Sequence, residues 1–196
     1  MADTTYTITI RGIRPLLMHN GRLCDPMDPA TKALKAASAR RNKSDDDHGE
    51  VSRVEYIGSL YHDPKIGPYL PADVLQAVVE RGAMKRKLGK IAKAHIDVLP
   101  PEDAPGYEVD YKGPRDVERL FATPAHVLRC GARVNKARVV RTRPRFPAGW
   151  RCTFRLEVLD GGMTKEQVKQ AVEDAGLYEG VGDWRPRYGR FVVEKI

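Results

Sequence analysis

Residues 151–195 read RCTFRLEVLD GGMTKEQVKQ AVEDAGLYEG VGDWRPRYGR FVVEK, and the succession of periodicities within them sets the fold class. Cys152, Phe154, Leu156 and Val158 alternate with Arg151, Thr153, Arg155 and Glu157, the period of two of a strand with one buried face. Gly161-Gly162 turns the chain. Thr164-Lys-Glu-Gln167 is a capping-box pattern that opens a helix with Val168, Ala171, Val172 and Ala175 inward, and Gly176 is placed to cap its C-terminus. A glycine-rich loop, Gly180 to Gly189, leads to a last strand from Arg190 to Lys195. The order is strand, helix, loop, strand.

Working outward, Tyr6, Ile8 and Ile10 alternate with Thr5, Thr7 and Thr9, which predicts a first strand over Thr5 to Ile13, ending at Gly12. The apolar run that follows closes at Asn20-Gly21, a turn dipeptide. Pro68-Tyr-Leu-Pro-Ala-Asp73 introduces a helix from Ala72 to about Lys87 with Val74, Leu75, Val78 and Val79 on one face, followed by a short strand, Ala94 to Leu99. Together these segments make two βαβ-like halves. The expected fold is α+β, a modified RRM or ferredoxin-like antiparallel sheet with helices on one face.

At 196 residues the chain suits one domain, 1–196, carrying inserted thumb-like segments. An insertion spans 25–61. It opens with Asp25-Pro and Asp28-Pro, continues in a helix from Ala30 to Arg41, and passes through Lys43 to Gly49, which has no apolar residue and reads as a mobile loop that orders on binding. A second helix, Val51 to Tyr61, carries Val54, Ile57 and Leu60 at helical spacing. Pro100 to Asp116 is a proline-rich acidic connector. The other thumb-like segment is a basic ribbon at 126–146, either two strands joined through a Gly or Asn turn or one long bent ribbon.

The net charge is +8, from 34 basic and 26 acidic residues. Eight basic residues and no acid lie between Arg129 and Arg151 (Arg129, Arg133, Lys136, Arg138, Arg141, Arg143, Arg145, Arg151), so this stretch equals the whole net charge. Clustered cations release counterions from a phosphate backbone, which predicts an anionic polymer as partner. Phe146 and Trp150 end the ribbon, where rings can stack on bases while guanidiniums hold phosphates. The loop surrounds Trp184, Arg185, Arg187, Tyr188 and Arg190 with Gly180, Gly182 and Gly189, which lets backbone N–H groups, guanidiniums and rings face one ligand. Arg81 to Lys93 is a second basic cluster, at a helix end where cations also suit the helix dipole.

A first strand running into Pro15-Leu-Leu-Met-His19, and a last helix followed by Gly-Val-Gly-Asp-Trp-Arg-Pro-Arg-Tyr-Gly-Arg-Phe-Val-Val-Glu (180–194), resemble the RAMP superfamily. More narrowly, they are similar to the crRNA-binding backbone subunits of CRISPR effector complexes and to phage proteins of similar pattern. The resemblance implies a modified RRM whose loop Gly180–Arg190 faces RNA, with Gly180, Gly182, Gly189 and the Arg and Trp between them against the nucleic-acid backbone. It also implies that the insertion or the ribbon acts as a thumb, and that copies assemble along the strand as a homo-oligomer or helical filament. Trp-Arg-Pro-Arg stands where a plainer glycine-rich turn is common in that superfamily.

Catalysis has one candidate. His19 follows the first strand, and by the same resemblance it is the position to weigh for metal-independent RNA cleavage beside a 2′-hydroxyl. Asp25 and Asp28 resemble a target-cutting loop aspartate, although Asp before Pro is more simply a turn or a helix start. No two histidines have metal-ligand spacing, no P-loop or dinucleotide fingerprint is present, and no metal or cofactor is expected. Cys24, Cys130 and Cys152 are far apart and odd in number, which suits a reducing, cytoplasmic setting without a disulfide framework, and no run of apolar residues reaches membrane-span length. The expectation is therefore a single-stranded RNA- or DNA-binding protein that coats its ligand. The alternatives are a RAMP-type endonuclease and a phage interaction protein that docks on a host complex.

Overall fold

The computed structural model describes residues 3–134 and 137–196. In chain order the strands are β1 (Thr4–Gly12), β2 (Leu16–Leu17), β3 (His62–Asp63), β4 (Gly67–Leu70), β5 (Ile96–Val98), β6 (Tyr107–Asp110), β7 (Val127–Val134), β8 (Ala137–Phe146), β9 (Arg151–Val158) and β10 (Phe191–Lys195). The helices are α1 (Pro29–Ser38), α2 (Asp45–Ser59), α3 (Ala72–Met84), α4 (Gly89–His95), α5 (Val117–Ala122) and α6 (Lys165–Asp174). The chain forms two compact units, one of residues 1–16, 62–112 and 147–196, the other of 17–61 and 113–146.

In the first unit β1 lies between β10 and β9, antiparallel to both, and β9 pairs antiparallel with β5. Taken in sequence, β1, α3, β5, β9, α6 and β10 follow the strand–helix–strand, strand–helix–strand order of a ferredoxin-like sheet, with β10-β1-β9-β5 side by side. The alternation predicted for β1 and β9 is observed: Ile8, Ile10, Cys152, Phe154, Leu156 and Val158 are buried, and their neighbours on the other face are not. Leu75, Val78 and Val79 of α3 and Val168, Ala171 and Val172 of α6 supply the helical side of that core. The two helices meet at Gly82, where a Cβ would stand 2.0 Å from the Ala171 carbonyl oxygen.

Strands β5 and β6 share one edge of β9, β5 opposite Leu156–Val158 and β6 opposite Arg151–Cys152. Tyr107 bridges the gap, its hydroxyl accepting from Arg155 N–H at 3.1 Å and donating to the Leu99 carbonyl. Gln76 of α3 covers the far side of β5, donating to the Ile96 carbonyl at 3.0 Å and accepting from Val98 N–H at 2.8 Å.

The second unit packs α2 against the antiparallel hairpin of β7 and β8. Tyr56 is buried between them, its ring 5.2 Å from that of Phe121 and its hydroxyl donating to the His126 carbonyl at 3.2 Å. Within the segment expected as a mobile loop, Lys43 to Gly49, Ser44 is instead the cap and Asp45 to Gly49 the start of α2. Ser44 and Asp47 form a reciprocal capping box there, and Asp45, Asp46 and Asp47 put three carboxylates where the helix dipole favours them. Capping chemistry starts this helix before any apolar residue appears.

Other departures have local causes. The first insertion helix begins at Pro29 on an Asp28 cap and ends at Ser38 rather than Arg41. The basic stretch after α3 turns at Lys87, which has a positive φ of 62°, and re-forms as α4. The connector contains β6. Gly176 does not cap α6. The helix continues through a π-helical turn, Ala175–Glu179, and Gly176 serves to let Phe191 close, since a Cβ there would meet the Phe191 carbonyl oxygen at 2.2 Å.

Replacing Gly82 with Ala is expected to lower stability by about 1–3 kcal/mol despite the better helix propensity, because α6 backbone occupies the added methyl's place. Urea unfolding of the variant measures it. Burial pushes the Cys152 thiol up to about 12, whereas Cys24 is exposed. Alkylation followed by mass spectrometry should mark Cys24 in the native protein and Cys152 only after unfolding.

Candidate nucleic-acid interface

The loop after α6 is closed at its neck by backbone bonds. Gly180 N–H donates to the Ala175 carbonyl at 2.8 Å, Val181 N–H to that of Gly189 at 2.9 Å, and Gly189 N–H to that of Pro15 at 2.8 Å. Gly189 has a φ of 72° and a Cβ on it would fall 1.7 Å from the Val181 carbonyl oxygen, so no side chain fits. Gly180 and Gly182 also take positive φ values, 73° and 86°. The glycines at the neck therefore serve the loop's closure.

What the closed loop displays is Trp184 to Tyr188. The Trp184 and Tyr188 rings lie 6.2 Å apart, tilted by 55°, and the Arg187 guanidinium sits 5.9 Å from the centre of the Tyr188 ring. Trp184 is half-buried at a positive φ of 49°, its N–H donating to Asp183 Oδ1 at 2.9 Å. Arg185 is half-buried, and Arg190 keeps a buried Nε with no hydrogen-bond partner among the described residues. Stacking platforms for single strands combine aromatic rings and guanidiniums in this way.

The ribbon of the second unit divides the predicted cations into spent and unspent ones. Arg143 is only 6% exposed and donates to Glu55 Oε1 at 2.9 Å, Arg141 donates to the same oxygen at 3.1 Å, and Thr142 N–H donates to Oε2 at 2.8 Å. Glu55 of α2 is itself buried, and Ser52 one turn earlier bonds the Thr142 hydroxyl at 2.7 Å. Arg145 donates to the Ala125 carbonyl at 2.9 Å. Lys136 lies outside the described residues. Arg129, Arg133 and Arg138 remain exposed, with no ion pair among the described residues. Arg133 faces Arg138 directly across the hairpin, and Arg129, opposite Thr142, shares that face.

Three expected contributors change role. Trp150 is fully buried, its indole N–H donating to the Arg14 carbonyl at 2.9 Å and its ring packed edge-on to Phe191, so it is core and not a stacking platform. Phe146 is buried too, 5.9 Å from the His126 ring. Arg151 and Arg11 both bind Glu194, which holds that carboxyl below the usual range chiefly through the Arg151 bond. The helix-free face of the sheet shows Thr5, Thr7, Thr9, Arg11, Arg151, Thr153, Arg155 and Glu157. β1 and β9 therefore present no aromatic ring there for base stacking. His19 is exposed in the second unit with Nδ1 3.5 Å from the Ser59 hydroxyl.

No protein-family model matches the chain, and no curated protein matches it in sequence. Among solved structures it is similar to the crystal structure of Cmr6 from Pyrococcus furiosus, at 13% identity and a TM-score of 0.40 over 98% of this chain and 99% of that one. The fold assignment rests on the strand order described above and not on this likeness.

Removing the Glu55 carboxylate breaks its buried ion pair with Arg143, so Glu55→Ala should cost about 3–5 kcal/mol in urea unfolding. A pH effect is expected at His126. Burial, opposed by its bond to the Arg145 carbonyl, pushes the imidazole below its ordinary value of 6.5. The folded value lies below the unfolded one, so this contribution to stability is complete above about pH 6.5 and is lost as the pH falls through the folded value. Unfolding midpoints of the wild type and His126→Asn should converge as the pH is lowered from about 8 to 5.

Proposed function

We propose that this protein binds single-stranded nucleic acid through its phosphate backbone, and that several copies coat one strand of RNA or DNA. The observation that carries the reading is the exposed trio Arg129, Arg133 and Arg138 on one face of the hairpin, with no ion pair among the described residues. Like charges directly opposite each other across a hairpin destabilise it. Arg133 against Arg138 is thus a cost in the free protein that a bound polyanion relieves.

The loop of the first unit supplies a second kind of contact, since Trp184 and Tyr188 offer ring faces and Arg187 a cation beside them. Rings stack on any base, which matches backbone binding with little sequence preference. The polar face of β1 and β9 argues against reading bases on the sheet, the usual RRM mode. No helix among the described residues is long and apolar enough to cross a membrane.

Size-exclusion chromatography with light scattering, with labelled single-stranded RNA and DNA of several lengths at low and high salt, tests the reading. Complex mass should rise with strand length and the complexes should dissolve in salt. Arg133→Ala with Arg138→Ala should lower the slope of log affinity against log salt by about 1.4, at about 0.7 per lost contact on a single strand, while the thermal midpoint of the free protein stays the same or rises as the like-charge repulsion is removed. Oligonucleotides that never bind, alongside stable capture of a protein partner, would instead make this an interaction protein. RNA shortening that persists in chelator and disappears in His19→Ala would make it a nuclease.

A further inference from the structure

One cavity of the first unit is built for a more specific ligand than a passing phosphodiester. Arg81 of α3 and Arg185 of the loop line a space of about 370 Å3, with Glu179, Asp183 and Trp184 also on its walls. Glu179 accepts from Lys85 Nζ at 2.6 Å, and this bond, helped by Arg81 and Arg185, holds its carboxyl below the usual range. Glu179 and Asp183 are thus the two carboxylates set against three cations.

Asp183 has turned one oxygen back to its own loop, accepting from Trp184 N–H. Neither Arg81 nor Arg185 has an ion pair among the described residues. Arg185 is moreover half-buried, and desolvation followed by repulsion from Arg81, opposed by Glu179 and Asp183, weakens its hold on its proton. Two guanidiniums, exposed Arg81 and half-buried Arg185, share this cavity with an indole, and with Lys85 beside them the three cations exceed the two carboxylates by one charge.

We propose that this cavity binds a phosphomonoester of a nucleotide, the phosphate between Arg81 and Arg185 and the base against Trp184. An internal phosphodiester brings one negative charge and two free oxygens. A terminal phosphate brings three oxygens and close to two charges near neutral pH, which matches a pair of bidentate donors. The ligand is the phosphorylated end of a strand or a free nucleoside monophosphate, which share this chemistry. The inference deepens the reading of the loop as a nucleic-acid contact and rests on it for the strand-end source alone.

Single-stranded RNAs of one sequence with a 5′-phosphate, a 3′-phosphate or hydroxyl ends, and uridine 5′-monophosphate against uridine, distinguish the sources. Fluorescence anisotropy follows the oligonucleotides. Quenching of Trp184 follows the mononucleotides, the other tryptophan, Trp150, being fully buried. A phosphorylated end should bind about tenfold tighter than the hydroxyl-ended strand, the gain of one charged hydrogen-bonded contact. Arg81→Ala should abolish that gain and leave the hydroxyl-ended strand bound as before, with an unchanged thermal midpoint.

Quenching by the monophosphate and not by uridine, without preference among the strands, would assign the cavity to free nucleotides. Equal affinity for all strand ends, together with no quenching by the monophosphate, would overturn the proposal while leaving backbone binding intact. Failure of every strand to bind would refute backbone binding instead, and the mononucleotide titration would still decide the cavity.

Discussion

Strand β1 carries the first unit because both of its edges are spent. It pairs with β9 over eight residues, Thr4 to Arg11, and with β10 on the other side, while Ile8 and Ile10 fill the core below. Two residues past its end the chain is still in use as a support. Ile13 and Arg14 N–H both donate to the Arg190 carbonyl, and the Pro15 carbonyl accepts from Gly189. The loop that displays Trp184 and Tyr188 is thereby tied at its exit to the segment leaving the first strand. A register slip of one residue in β1 would put its isoleucines on the open face and cut this tie at the same time.

Electrostatics tells a second part of the story, because formal charge and available charge differ. The stretch from Arg129 to Arg151 holds as many positive charges as the whole molecule's excess, yet Arg141, Arg143 and Arg151 are held by Glu55 and Glu194 from elsewhere in the chain. A buried carboxylate is expensive unless it is paired and hydrogen-bonded. Glu55 meets that condition with two guanidiniums and a backbone N–H, and in doing so it fixes α2 on the hairpin. Of the cations left over, Arg129 lies level with Thr142 and Arg133 and Arg138 lie nearer the turn, and none of the three has an ion pair among the described residues.

Periodicity made the ferredoxin-like order legible, since β1, β9 and α6 each bury one clean face. Capping residues were legible only where apolar residues followed at once, as at Thr164. At Ser44 the same chemistry preceded a polar first turn and read as a loop. Trp150 looked like a ligand-facing ring because basic residues surround it in sequence, but Gly12 lacks a side chain and leaves the room its indole fills. No local pattern could pair Arg81 with Arg185 or Glu55 with Arg143, because those neighbours are separated by long stretches of chain and meet only through tertiary packing.

Gln76 has a further effect. By bonding both the carbonyl of Ile96 and the N–H of Val98, its amide imitates the strand that would otherwise lie beside β5. A neighbouring molecule looking for an open backbone to extend by strand addition finds that edge already occupied by a side chain. In a protein rich in antiparallel pairing, a single amide thus closes this edge to strand addition.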